Sequence, residues 1–256
     1  LSAPIITPII TGTQGTNGWY VGNVTVAWSV VDPETPVTSM PGCGTVVQST
    51  NTAGTNFTCS ATSAGGSSSV TVTIKLDKTK PTLAPVVNHI RPLINDPTVV
   101  ATPNGADTVS GVASQSCPVT STAVVGLQQV TCTVTDIAGN TYAKPVSYRV
   151  IHGFQGFTGG VVNPGLSNSA LLNQPIDFDY RLVDYFGNGV TGAATPAFTS
   201  APITCPVTIS NVTPVSGNAP GLQDLGNGFY RFTWNAPASA GCARLTLNTG
   251  DGQTDR

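Results

Sequence analysis

Three kinds of residue in this chain could do chemistry: six cysteines, two histidines and a scatter of carboxylates in turn-rich segments. The cysteines fall along the sequence as Cys43 with Cys59, Cys117 with Cys132 and Cys205 with Cys242. Thiolates can hold zinc, but structural zinc sites draw on closely spaced Cys or His ligands, and no two cysteines here are that near. Disulfides within each pair are the expected state of all six, which places the chain outside the reducing cytosol. Loops as short as the first two contribute about 3 kcal/mol each in the chain-entropy model.

Nucleophilic catalysis needs a base beside its nucleophile. The two histidines, His89 and His152, stand in loop or linker contexts without a nucleophile motif. No G-x-S-x-G, phosphate-loop or dinucleotide fingerprint is present. Asp177 and Asp179 could be drawn as a glycosidase pair, yet at i, i+2 on one face of a strand they read as a solvated outer face. No enzyme activity and no cofactor are expected. Asp32 with Glu34, Asp77, and Asp136 with Asn140 offer the hard oxygens that calcium prefers. Their spacing matches no calcium loop, and Asp and Asn also occupy turns because they satisfy local backbone groups. The expected metal set is therefore empty. Among aromatics that could grip a sugar, Trp28 and Trp234 belong to apolar strand faces. Trp19 and Tyr20 sit in a turn, where Trp19 either covers the end of a sandwich or forms an exposed pair with its neighbour.

The elements that must position these residues are strands. Val24, Val26, Trp28 and Val30 alternate with Thr25, Ala27 and Ser29, the two-residue period of a half-buried strand. The same beat recurs at Val70 to Leu76, Val130 to Val134, Ile176 to Leu182 and Tyr230 to Trp234. Gly, Asn, Pro and Ser clusters separate the runs, and no 3.6-residue stripe appears. The fold class is read as all-β, three tandem immunoglobulin-like β-sandwich domains. A Lys-rich segment ending in Pro81 and a second joint near His152 divide the chain into domains 1–79, 80–150 and 151–256.

Only 9% of residues are charged and the formal net charge is −2, so hydroxyls and amides must make the surface wettable. That balance excludes the clustered Lys and Arg that nucleic acid or anionic lipid requires, and no apolar run is long enough for a helical membrane span. Neither partner is expected. Leu1 is not an initiator Met, and the sequence reads as processed or excised.

The first block carries Asn17-Gly18-Trp19-Tyr20, the strand Val24 to Val30, Asp32-Pro33-Glu34, Gly42-Cys43, Phe57-Thr58-Cys59 and the exit Asp77-Lys78-Thr79-Lys80-Pro81. It resembles a bacterial immunoglobulin-like repeat of secreted and surface proteins. The second, with Ser116-Cys117-Pro118, Val130 to Asp136 and Ala138-Gly139-Asn140, is similar to the hyalin-repeat (HYR) domain. The third, with Gly153-Phe154, Val161-Val162-Asn163, Asn168, Pro175-Ile176-Asp177-Phe178 and Gly241 to Leu245, resembles the PxKF-type C-terminal domain of bacterial surface proteins. Asp177 stands where that family's name places Lys. These resemblances imply secreted, extracellular or cell-surface scaffold and adhesion work, and they carry over no catalytic residue. The third also implies one more closing strand after the Gly250-Asp251-Gly252 turn.

The functional expectation is a structural subunit of a filament or stalk, assembled head to tail from copies of itself. The alternative is the adhesive or carbohydrate-binding stalk of a larger surface protein or secreted enzyme, with polysaccharide or a cell-surface ligand as partner. An open sheet edge accepts an added strand. Leu1 to Thr11, extended and apolar, is the candidate donor to a neighbouring subunit.

Overall fold

The computed structural model describes residues 1–158, 171, 173–193, 197–202, 222–236 and 241–252, and every regular element among them is a strand. The class is all-β. The first sandwich contains β1 (Ile5–Thr11), β2 (Trp19–Tyr20), β3 (Val24–Val31), β4 (Val46–Gln48), β5 (Thr52–Ser63) and β6 (Gly66–Leu76). One sheet runs β1-β3-β4 and the other β2-β6-β5. Val24 and Val26 from the first sheet meet Ile74 and Leu76 from the second, all four buried, with Ile10, Trp28 and Phe57 packed around them. Full burial of each such side chain stabilises by roughly 1.5–3 kcal/mol. On the opposite face of the β5–β6 hairpin, hydroxyls pair across the strands: Thr58 with Thr71 at 2.8 Å, Ser60 with Ser69 at 3.0 Å and Thr62 with Ser67 at 2.8 Å. These rungs wet the surface in a chain that has few ions.

Ile5–Thr11 is an edge strand of its own sandwich, antiparallel to β3 from Ile5↔Val31 to Thr11↔Thr25. Pro8 suits that edge because it has no N–H to give to a ladder. The expected donor segment is thus already paired within its own chain, since its alternating Ile6 and Ile10 fit the core it borders. Trp19 is buried and Tyr20 packs against the first core. The two form a short strand parallel to Lys75–Leu76, so they close the sandwich end and are not an exposed pair.

Downstream lie β7 (Thr82–Leu83), β8 (Val86–Val87), β9 (Ala101–Thr102), β10 (Gly105–Ala106), β11 (Val112–Ser116), β12 (Gly126–Asp136) and β13 (Thr141–Val150). Leu83, Cys132 and Val134 form their buried core, bordered by Val112, Cys117 and Val146. The final group is β14 (Gly153–Thr158), β15 (Pro175–Val183), β16 (Ala197–Pro202), β17 (Leu222–Gly226), β18 (Phe229–Asn235) and β19 (Ala243–Asn248). A sheet ordered β14-β15-β18-β17 and the pair β16-β19 make it up. Tyr180 stacks on Tyr230 with centroids 5.5 Å apart, beside Leu182 and Leu247, and Phe178, Phe232 and Trp234 extend the core.

The chain packs as two compact units. One comprises Leu1–Val86, Ala101–Pro118 and Thr131–Val146, the other Val87–Val100, Val119–Val130 and Ser147–Arg256. Each contains one of the two segments where the chain leaves a sandwich and enters the next group of strands.

Candidate functional site: one turn at two joints

In the first unit, β6 ends at Leu76 and the next residue, Asp77, is fully buried. Its Oδ1 accepts the Thr79 N–H at 2.9 Å and Asn51 Nδ2 at 3.3 Å, and its Oδ2 accepts the Ser110 N–H at 3.1 Å. Asp107 Oδ1 accepts three consecutive backbone N–H groups, from Val109, Ser110 and Gly111, at 3.0, 2.9 and 2.8 Å. Asp136, also buried, accepts the Asn140 N–H and Asn140 Nδ2, both at 2.8 Å. One oxygen from each of the three carboxylates lies within 4.8 Å of the others. This set could hold a hard cation, although three oxygens fall short of the roughly six to eight that calcium takes. Each carboxylate is also engaged by amide groups, the role expected of Asp in turns.

Of the carboxylates weighed from sequence, Asp77 and Asp136 come together, and Asp107 joins them from a loop that no spacing rule had marked. Asp32 and Glu34 lie elsewhere. The Asp32 carboxyl is pulled down to about 2 by the Ser63 hydroxyl and then by the Glu34 and Thr35 N–H groups, and Glu34 accepts the Ser2 hydroxyl at 2.9 Å.

Asp136 opens a turn, Asp136-Ile137-Ala138-Gly139-Asn140, that closes on itself. The Asp136 N–H donates to Asn140 O at 3.0 Å and the Gly139 N–H to Asp136 O at 3.2 Å. Gly139 takes φ +99°, a region that costs little only for glycine. The turn then grips the loop before Trp19. Thr16 N–H donates to Ala138 O at 2.9 Å, while Thr16 Oγ1 and Asn17 Nδ2 both donate to Ile137 O, at 2.7 and 3.1 Å. A Cβ on Gly15 would stand 2.1 Å from Ala138 O, so only glycine allows this approach. Asn140 Nδ2 also reaches Asp77 O at 3.1 Å and Thr79 O at 3.2 Å, tying the turn to the exit strand.

The second unit repeats the device. Asp184-Tyr185-Phe186-Gly187-Asn188 has the same D-x-x-G-N pattern and the same closure: Asp184 N–H to Asn188 O at 2.9 Å, Gly187 N–H to Asp184 O at 3.0 Å, and Asn188 N–H to Asp184 Oδ1 at 2.9 Å. Gly187 takes φ +82°. This turn also meets the loop of the preceding strands. Tyr185 N–H donates to Ile94 O at 2.9 Å, and Asn95 Nδ2 donates to Asp184 Oδ2 at 3.2 Å. Asn17 and Asn95 both sit at positive φ, +53° and +63°, which Asn tolerates better than other non-glycine residues. Burial alone would raise the Asp184 carboxyl. Hydrogen bonds from Asn95, Asn188 and the Asn188 and Phe186 N–H groups outweigh it and hold the carboxyl below its ordinary range.

Among the other sequence candidates, Asp177 and Asp179 belong to a cross-strand ion-pair ladder on β15 and β18. Arg231 grips Asp179 through two 2.7 Å hydrogen bonds and lies 3.5 Å from Asp177. Arg231 first by hydrogen bonding, and then by its charge, holds the Asp179 carboxyl low against the effect of burial. His89 is half-exposed with Nδ1 3.4 Å from Asp96. His152 is buried, with its N–H donating to Asp251 Oδ2 at 3.0 Å. Trp234 is core. Disulfides join Cys43 to Cys59 and Cys117 to Cys132, and Cys242 is disulfide-bonded. Cys205 lies outside the described residues.

No family model matches the chain, and no curated protein matches it. Among solved structures, the I-band fragment I67–I69 of titin aligns over 97% of this chain and 94% of its own, at 9% identity and a TM-score of 0.35. The Escherichia coli adhesin FdeC aligns over 97% and 95%, at 14% identity and TM-score 0.25. Invasin, a bacterial integrin-binding protein, aligns over 98% of this chain and 58% of its own, at 16% identity and TM-score 0.30. The assignment of this chain to tandem immunoglobulin-like sandwiches rests on its own strands.

Proposed function

We propose that this chain is a secreted, non-enzymatic structural protein, a subunit or stretch of an extracellular filament or cell-surface stalk built end to end from three immunoglobulin-like domains, 1–79, 80–150 and 151–256. The observation that carries this reading is the repeated joint: one D-x-x-G-N turn, closed by the same hydrogen bonds, meets a positive-φ Asn loop at two successive places along the chain. A repeated fixed joint is what a load-bearing or spacing element needs, because flexible linkers would let the domains collapse together.

The finer likenesses, of the middle domain to hyalin repeats and of the last to PxKF-type domains, belong to this reading, as does oxidation of all six cysteines in the pairs 43–59, 117–132 and 205–242. The N-terminal strand is used at home, so end-to-end contact is assigned to domain ends and not to strand donation. Sedimentation equilibrium and electron microscopy of the purified chain test the assembly. Concentration-dependent linear multimers are expected, and a strictly monomeric chain at high concentration would remove the filament and leave only the stalk of a larger protein.

A further inference from the structure

The two turns share a backbone but not a purpose for their middle residues. At the first, Ala138 is fully buried. At the second, Tyr185 and Phe186 are 43% and 64% exposed. Their rings meet edge to face, with centroids 5.2 Å apart and planes at 89°. The second joint does not use those rings, because its contacts run through the Tyr185 N–H and the Asp184 carboxylate. Two large aromatic faces are therefore held in solvent on a turn that is braced from below. Four hydrogen bonds converge on Asp184, and Arg181 lies across from Gly187 O at 3.5 Å.

We propose that the Tyr185–Phe186 pair is a binding platform for a neutral polysaccharide. The size of the platform selects the ligand class. Two partly exposed rings offer about 200 Å², whereas a stable protein interface needs roughly 800 Å² from each partner. A sugar ring fits the smaller area, stacking its apolar face on one aromatic while the other flanks it. Asn95 and Asn188 are exposed beside the turn; their Nδ2 groups brace Asp184, and their amide oxygens, with the Tyr185 hydroxyl, face solvent for the sugar's own hydroxyls. Charge selects a neutral sugar. The buried Asp184 carboxylate lies under the turn and repels an acidic sugar, and the Arg181 guanidinium, though charged, is directed to Gln155 Oε1 at 3.0 Å and Asn227 O at 3.3 Å.

The platform is independent of end-to-end assembly and stands or falls separately. Saturation-transfer NMR of the full chain with cellohexaose, mannohexaose and an oligogalacturonate reads such weak contacts. Transfer to at least one neutral hexasaccharide is expected, weakened about tenfold in Phe186→Ala and in Tyr185→Ala, with thermal unfolding unchanged. Leu225→Ala, which removes an exposed apolar side chain on β17, should leave transfer intact. Absence of transfer to either neutral sugar, equal transfer in the ring variants, or transfer to the acidic sugar alone would overturn the proposal. So would self-association that the ring variants abolish, which would assign the rings to a second copy of the chain.

Discussion

At the first joint the middle of the D-x-x-G-N turn is Ile137-Ala138, whose carbonyls receive Thr16 and Asn17 while the Ala138 side chain is fully buried. At the second it is Tyr185-Phe186, whose rings stand in solvent although the turn beneath them closes through the same four Asp–Gly–Asn hydrogen bonds. The difference separates two tasks that one short sequence can perform. Asp, Gly and Asn build the turn and its grip through backbone groups and the Asp and Asn side chains, and the two side chains between them are free to seal a joint or to display a surface.

Removal of the acceptor on which each turn closes has the largest expected effect. Asp136→Ala and Asp184→Ala each remove the carboxylate that accepts several partly buried N–H and amide groups and should cost about 1–3 kcal/mol, read as a fall in the midpoint of thermal unfolding. If one substitution is neutral, the turns are not equivalent. Gly15→Ala follows, because its Cβ must displace Ala138 O from 2.1 Å. A loss of about 1–3 kcal/mol is expected from such overpacking, with chemical shifts of 136–140 moving in the NMR spectrum. Asn17→Ala and Asn95→Ala should cost about 1 kcal/mol each, while Asn→Gly at either position preserves the positive φ and loses only the amide contact.

The strands were legible because alternation of Val, Ile and aromatic residues with Thr and Ser is a local property, and the cores at Val24–Val26, Ile74–Leu76 and Tyr180–Leu182 follow it. The joints were not, for two reasons. Asp107 meets Asp77 and Asp136 only through folding, across loops whose geometry no periodicity encodes. The second turn did carry a signal, since Asp184 to Asn188 repeats Asp136 to Asn140 letter for letter at its three fixed positions, and a search for short internal repeats finds it. Of the two roles open to Trp19, covering the sandwich end is the one it takes: it is buried, pairs with the exit strand and has Lys75 Nζ 6.0 Å from its ring, whereas Tyr185 and Phe186 lie in a turn outside any alternating run.

Acid acts on the second turn more gently. The folded Asp184 carboxyl lies below its unfolded value of about 3.9, so its contribution is fully present above that pH and is lost as pH falls further through the folded value. Exchange broadening of the Tyr185 and Phe186 amides below about pH 4 is the expected sign. The smallest effect concerns cations. With Asp77, Asp107 and Asp136 engaged by backbone and Asn amides, a chelator should leave the unfolding midpoint of the chain unchanged. A rise with millimolar calcium that Asp107→Asn abolishes would turn the first joint into a cation site and widen the contrast with the second.

Whether the turn fixes the joint is read by pulsed electron paramagnetic resonance across the first one. Nitroxide-bearing amino acids at the exposed Thr7 on β1 and Ser114 on β11 lie on either side of the joint within one compact unit. A single narrow distance distribution is predicted, which broadens in Asp136→Ala while the Cys43–Cys59 and Cys117–Cys132 disulfides remain intact. A broad distribution in the native chain, or a narrow one that survives the loss of Asp136, would mean that the turn does not fix the joint.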